Sequence, residues 1–316
     1  MFQRQILPLF AACCLPLFAA CGAALFAAAP AQADNADNAA SIASLPAAQA
    51  FGAVKTPSAG RPQPIGFYSK GCLAGAVAMP LAEPQWQMLH PQRRRNWGTP
   101  QMIAYLKNLA RQAAAHGWRG LLIGDIAQPR GGPLSFGHAS HQIGLDADIW
   151  LTPMPKGGLS PAALRDMQGG SVLKADSLYL DPQKWSKAHT ELLRLAAEDS
   201  QVDRIFVHPG IKKYLCEASA PDSGADNAWL SKLRPYWGHY EHFHVRLKCP
   251  PGAQDCLPQA PAPKGSGCDA SLNWWFTREA WQPKKPQPPL NTQNEAHKPK
   301  ALTVGELPKP CRALLP

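Results

Sequence analysis

Six cysteines, Cys72, Cys216, Cys249, Cys256, Cys268 and Cys311, follow an apolar leader, and no other feature narrows the possible folds as much. The leader points to the compartment. Met1 to Arg4 carries one positive charge, Ile6 to Ala29 is almost wholly apolar, and Ala31-Gln32-Ala33 is a small-x-small cleavage signal followed by polar Asp34. This is the pattern of a secretory signal peptide over residues 1–33. Pro16 interrupts the apolar stretch, which argues against a retained anchor, and Phe18 stands where a lipoprotein processing site ahead of Cys21 usually has Leu. Cys13, Cys14 and Cys21 leave with the leader. An even number of remaining cysteines in an exported chain predicts three disulfides, with about fifteen connectivities open. No C-x-x-C pair occurs, which sets aside a thiolate zinc ribbon and a thioredoxin-like redox site.

Without its leader, the 316-residue chain has the size of one large domain. No further apolar run approaches spanning length, so no stable membrane insertion is expected after signal removal. The formal net charge is +10. An exported protein rarely meets nucleic acid, so the charge fits an anionic envelope polymer or plain solubility. Arg93-Arg94-Arg95, the densest basic run, reads as a solvated loop. Residues 34–62, rich in Ala, Ser and Pro, read as a flexible mature N-terminus, and residues 63–250 as the folded domain. Residues 251–316 are Pro-rich, and Lys284 to Pro289 forbids regular structure. Cys268 and Cys311 imply that this segment is stapled to the domain.

Apolar spacing predicts a helix from Pro100 to Gly117, capped by Thr99, and a second from Lys184 to Ser200. Gly120–Ile126, Ala147–Leu151, Arg204–His208 and His242–Lys248 read as strands, and a helix begins at Pro209. Strands and helices mix without β-α-β alternation. The expected class is α+β, a small, mainly antiparallel sheet flanked by helices, with a loop-rich C-terminal segment.

Two clusters carry chemistry. In GHASHQIGLDADIW, from Gly137 to Trp150, His138 and His141 lie on a loop that runs into a strand where Asp146 and Asp148 share a face. In WGHYEHFHVR, from Trp237 to Arg246, His242 and His244 leave one strand face and Glu241 and Phe243 the other. Either cluster alone reads as ordinary loop or strand residues. Together they place polar groups on strand faces that a core would normally claim. Three His/Asp ligands with an open fourth position suit a catalytic zinc, which lowers the pKa of water and polarises a scissile carbonyl.

These residues resemble the LAS superfamily of zinc peptidases, whose H-x6-D and H-x-H motifs match His141, Asp148, His242 and His244, with Gly144 between the first two. The longer stretches GHASHQIGLDADIWL, RIFV-x-P-x-I and HVRLKCP are similar to the penicillin-insensitive murein endopeptidases of the Gram-negative periplasm. The resemblance runs from about Gly71 to the C-terminal cysteines. It implies a LAS/hedgehog-like fold, a periplasmic location and peptidoglycan as the substrate partner. It also implies one zinc per chain on His141, Asp148 and His244, with His242 as general acid/base and His239 as a further active-site residue. Some family members have a second metal position; here His138 and Asp176 could contribute, but Tyr179 stands where its other histidine would be. The implied reaction is hydrolysis of D-alanyl-diaminopimelyl cross-links by metal-activated water. The implied disulfides are Cys72–Cys311 and Cys216–Cys268, while Cys249 and Cys256 are expected to close a short loop after the H-x-H strand.

Glu241 is the alternative acid/base, since dipeptidase branches place a glutamate three residues before the last ligand; strand parity favours His242. Two other functions stay open. A D,D-carboxypeptidase would need a cation for the substrate's terminal carboxylate, with Arg130 the candidate. A metal-stabilised, non-catalytic murein-binding module would not need both His239 and His242. No G-x-S-x-G motif is present, and nothing in the sequence sets an oligomeric state.

Overall fold

The computed structural model describes residues 41–219, 227–281 and 301–316. The expected leader over 1–33 and the Lys284–Pro289 run lie outside them. An antiparallel ribbon, β1 (Gln63–Phe67) and β2 (Lys70–Ala74), precedes the main sheet. A short pair, β3 (Val77–Ala78) and β6 (Trp97–Gly98), stands apart. The main sheet takes β4 (Ala82–Glu83), β5 (Trp86–Met88), β7 (Leu121–Ile123), β8 (Asp146–Trp150), β9 (Val202–Val207), β10 (Leu233–Pro235) and β11 (His242–Leu247) in the order β10-β9-β11-β8-β7-β5-β4. Its centre, β9-β11-β8-β7, is antiparallel throughout, and β10 and β5 add parallel partners on either side. The class is therefore mixed α and β, as the sequence predicts.

Period-two alternation sorts the central strands. Ala147 and Ile149 of β8 and Phe243, Val245 and Leu247 of β11 are buried in one apolar cluster. That cluster includes Leu106 and Leu109 of helix α2 (Pro100–Ala115) and Leu192 and Leu193 of helix α3 (Lys187–Glu198). The alternate residues, Asp146, Asp148, His242, His244 and Arg246, must face the other way. Register then matches them: His244 lies opposite Asp148, and Arg246 opposite Asp146.

Helix α2 starts where its cap requires. The Thr99 side chain accepts from Met102 N at 3.2 Å and Pro100 occupies the first turn. The strand expected over 120–126 is shorter. Beyond Ile123 the backbone leaves the ladder: Ile126 N donates to Arg95 O, and Ile126 O accepts from the His141 ring.

Two expectations change. The segment expected to be flexible over 34–62 carries helix α1 (Ala47–Ala53) within its described part. Ala47 and Phe51 pack with Ile65, Cys72, Val304, Leu307 and Cys311 in a second core. Gly132, at φ +77°, admits this packing, because a Cβ there would meet Phe51 Cγ at 2.2 Å. The Arg93–Arg95 run is not wholly solvated either. Arg95 is buried and pairs with buried Asp125 at 2.6 Å.

Three disulfides close: Cys72–Cys311, Cys216–Cys268 and Cys249–Cys256. The first crosses the second core. The next ties the C-terminal segment to helix α4 (Pro209–Ala218). Among the described residues no helix is long and apolar enough to cross a membrane.

Candidate active site

The site forms where β8 and β11 pair and the His138–His141 loop folds over them. Asp148 projects from β8 and His244 from β11 directly across. His141 enters from the loop with a left-handed φ of 66°. His141 Nε2 lies 3.4 Å from Asp148 Oδ1 and 3.2 Å from His244 Nδ1, and His244 Nδ1 is 3.2 Å from Asp148 Oδ1. His138 Nε2 is 3.1 Å from Asp148 Oδ2. One ligand atom from each of these four residues lies within 4.8 Å of the others, an arrangement that could hold a metal ion.

The rear atoms of the rings explain where their front atoms point. His141 Nδ1 donates to Ile126 O at 2.9 Å, which turns Nε2 towards the centre. His244 Nε2 donates to Asp146 Oδ1 at 2.9 Å, which turns Nδ1 towards the same centre. Asp146 is held in turn by Arg246 Nε at 2.8 Å and by the His141 backbone N–H at 3.1 Å. Two imidazole nitrogens, in hydrogen-bond contact with each other, and a carboxylate oxygen therefore converge. Asp148 Oδ1 is buried without a hydrogen-bond partner, even though two ring nitrogens lie close. Those contacts lack hydrogen-bond geometry; lone pairs facing a common centre suit a cation. The donor set, two imidazoles and a carboxylate with His138 beside them, fits zinc.

Burial opposes a charge on His141, but Asp148, Asp146 and Asp125 outweigh it and raise the ring to about 9. The carboxylates thus draw positive charge to this point, and an ion would displace the ring proton. Burial opposes ionisation of Asp148, but His141, His138 and His242 outweigh it and hold the carboxyl well below its usual range. Asp146 behaves alike: burial pushes up, while Arg246 and His244 hold it far down. His239 is pushed down to about 3 by burial and by His244 and His242. Burial also lowers His242, against the pull of Asp148.

His242 Nε2 lies 3.8 Å from Asp148 Oδ1, is buried and has no hydrogen-bond partner. The His239 ring sits 5.1 Å from the His242 ring and 6.0 Å from the His244 ring. Its left-handed backbone, φ 51°, is fixed by His208 N donating to His239 O, and its Nδ1 donates to Trp237 O at 2.8 Å. These histidines line a cleft of about 670 Å³, walled by Arg204, Phe206, Tyr236, Trp237 and Arg246 among others.

Other candidates fall elsewhere. Glu241 precedes β11, and its backbone oxygen accepts from Leu151 N; it is not a lining residue of the cleft. Burial raises its carboxyl. Asp176 is exposed on a loop at φ 49° and outside the metal-capable group, so the structure does not join it to His138. His138 instead turns inward to Asp148, whose carboxylate attracts it. Tyr179 stacks on Phe276, their ring centroids 5.1 Å apart. Arg130 is far from a substrate role: its Nε donates to Thr56 O and its Nη1 to Leu314 O, tying α1's segment to the C-terminal end.

Sequence reasoning missed the supports. Asp146 and Arg246 carry a signal, since both share the parity of Asp148 and His244 on their strands. Asp125 carries none. It receives Arg95 at 2.6 Å and lies 3.7 Å from His138 Nε2, a meeting that only the folded loops create.

Known proteins are similar to this chain over most of its length. The family profile described as penicillin-insensitive murein endopeptidase matches residues 64–316. A protein of that name from Klebsiella pneumoniae subsp. pneumoniae is 40% identical over 278 residues, 87% of this chain and 94% of that protein. One from Yersinia enterocolitica is 40% identical over 274 residues, 87% of this chain and 93% of the other. One from Haemophilus influenzae is 44% identical over 229 residues, 72% of this chain and 76% of its own. Matched over most of its length and built around these histidines, the chain belongs to the penicillin-insensitive murein endopeptidase family.

Proposed function

We propose that this chain is an exported zinc endopeptidase that hydrolyses D-alanyl-diaminopimelyl cross-links of murein. The observation that carries the reading is the convergence of His141 Nε2, Asp148 Oδ1 and His244 Nδ1, each ring held from behind by a hydrogen bond. Zinc bound there would polarise the scissile carbonyl and bring the pKa of water towards neutrality. His141, Asp148 and His244 would hold the ion. His242 Nε2 takes a proton from the attacking water and passes it to the leaving amine as the C–N bond breaks. His239, its ring 5.1 Å from that of His242, is a further active-site residue in the cleft wall. Three disulfides suit an oxidising compartment, which supports export to the periplasm.

The carboxypeptidase reading loses its cation. Arg130 is engaged by Thr56 and Leu314. The two arginines in the cleft wall are engaged as well, Arg246 by Asp146 and Gln259, Arg204 by Asp203 and Ala260 O. Nothing in that wall is set aside for a terminal carboxylate, which suits an internal bond. A purely binding module has no use for His242 beside the ion-holding group.

The test is fragment analysis of purified murein digested with and without a chelator. Cross-linked dimers should fall in the untreated digest, persist with chelator, and fall again when zinc is restored. Cleavage that ignores the chelator contradicts the proposal.

A further inference from the structure

The cleft continues outward into a surface of aromatic rings. Trp237, in the cleft wall, has its ring centroid 3.6 Å from Trp281 and 4.8 Å from Trp275. Trp275 in turn meets Trp274 at 5.3 Å. Trp274 and Trp281 remain 45% and 41% exposed, and Tyr236 and Tyr240, on the Trp237 loop, 54% and 39%. Exposed apolar residues scattered singly need no explanation, but a contiguous group opening from an active site does.

The surface is built rather than incidental. Three of its tryptophans lie between Ala270 and Trp281, a segment anchored at its base by the Cys216–Cys268 disulfide to helix α4. His208, at the start of that helix, touches Trp237, Tyr240 and Trp281 within about 6.1 Å between ring centroids. Trp281 Nε1 donates to Trp275 O, which fixes one indole relative to the next. Rings held this way lose little conformational freedom when a partner lands on them.

We propose that this aromatic surface binds the glycan strand of murein beside the peptide being cut. The proposal rests on the murein reading of the cleft. In murein a cross-linked peptide bond is tethered to sugar, and three or four extended residues span at most about 10–14 Å. The exposed rings of Trp281 and Trp274 stand one and two ring contacts beyond the cleft wall, so a sugar would fall near them. The chemistry also fits. An indole offers a flat apolar face to the C–H side of a pyranose ring, and exposed Asn273, Arg278 and Glu279 flank the rings with hydrogen-bonding groups for hydroxyl and acetamido substituents. A second copy of this chain is the competing occupant, and the test separates it.

Two substrates are compared for the native protein, Trp274→Ala and the Trp274→Ala/Trp281→Ala double variant: intact sacculi, and cross-linked peptide dimers freed of all sugar by an amidase. The expected result is that the ratio of rates, sacculi over peptide, falls about tenfold in the double variant and less in the single one. Binding to peptide-free glycan strands should weaken in parallel. Unchanged ratio and unchanged glycan binding overturn the proposal. So does a variant whose sedimentation coefficient drops while the ratio holds, since the rings would then cover a second copy. Trp274 does not touch Trp237, so its single variant keeps the test valid if the double variant folds poorly. The murein reading fails separately: native protein would then leave the sugar-free dimers uncut, and the glycan-binding measurement would still decide this surface.

Discussion

The floor and the rim of the cleft are built by different means. On the floor, Asp148 and His244 stand on paired strands and the His141 side chain is fully buried. Both ring nitrogens of His141 and His244 that face away from the centre are hydrogen-bonded. On the rim, His138 and His239 sit on loops and His242 is the first residue of its strand. His138 keeps 27% and His242 20% of its side chain exposed, and His242 Nε2 has no hydrogen-bond partner. Holding an ion needs a geometry fixed in advance, whereas moving a proton needs reach towards substrate and a free nitrogen. On the proposed reading His141, Asp148 and His244 serve the first demand and His242 the second, while His138, 3.1 Å from Asp148 Oδ2, stands between the two groups.

The largest effects should follow from breaking the floor. His141→Ala or His244→Ala removes one of three converging donors, and both bound zinc and cross-link cleavage should disappear. Retained metal in either variant would show that the ion, if any, sits elsewhere. Breaking the rim should cost less: His242→Ala should lower the cleavage rate by roughly a hundred- to ten-thousand-fold.

Asp146→Asn probes the support beneath the floor and should come next. Weakened orientation of His244 should reduce metal affinity by about ten- to a hundred-fold, read by competition with a chelating dye. Arg246 would also lose a charged partner in a buried position, so denaturant unfolding should show a loss of about 3–5 kcal/mol. The same carboxylate predicts a pH trend. Its folded-state pKa is depressed, so its stabilising contribution is present above its ordinary value of about 3.9 and is lost as pH falls below it. Asp146→Asn should therefore flatten the acid side of the stability curve. Glu241→Ala should have the smallest effect, within about twofold on cleavage, because its side chain lies outside the cleft lining. An inactive Glu241→Ala with active His242→Ala would transfer the proton role to the glutamate.

Much of the floor was legible in the sequence because strand parity is strict. Spacing alone puts Asp146 and Asp148 on one face of their strand and His242 and His244 on one face of theirs, and the same parity covers Arg246; that the two faces coincide comes only from the β8–β11 pairing. Helix α2 was legible for a local reason, Thr99 followed by Pro100. The illegible parts depend on residues far apart in the chain. Arg95 looks like one more cation in a basic loop until Asp125 is buried beside it. Helix α1 is an Ala-rich stretch with a single large apolar residue, Phe51, whose partners include Val304 and Leu307. His138 and Asp176 suggested a shared site by motif alone; the fold turns one inward to Asp148 and leaves the other exposed.

Metal stoichiometry in two variants tests the division between floor and rim most directly. Native protein, His141→Ala and His242→Ala, purified alike and dialysed against metal-free buffer, are analysed for zinc by mass spectrometry. About one equivalent is expected in the native protein and in His242→Ala, and none in His141→Ala. If His242→Ala loses its zinc as completely as His141→Ala does, His242 belongs to the ion-holding set and the division of the site is wrong.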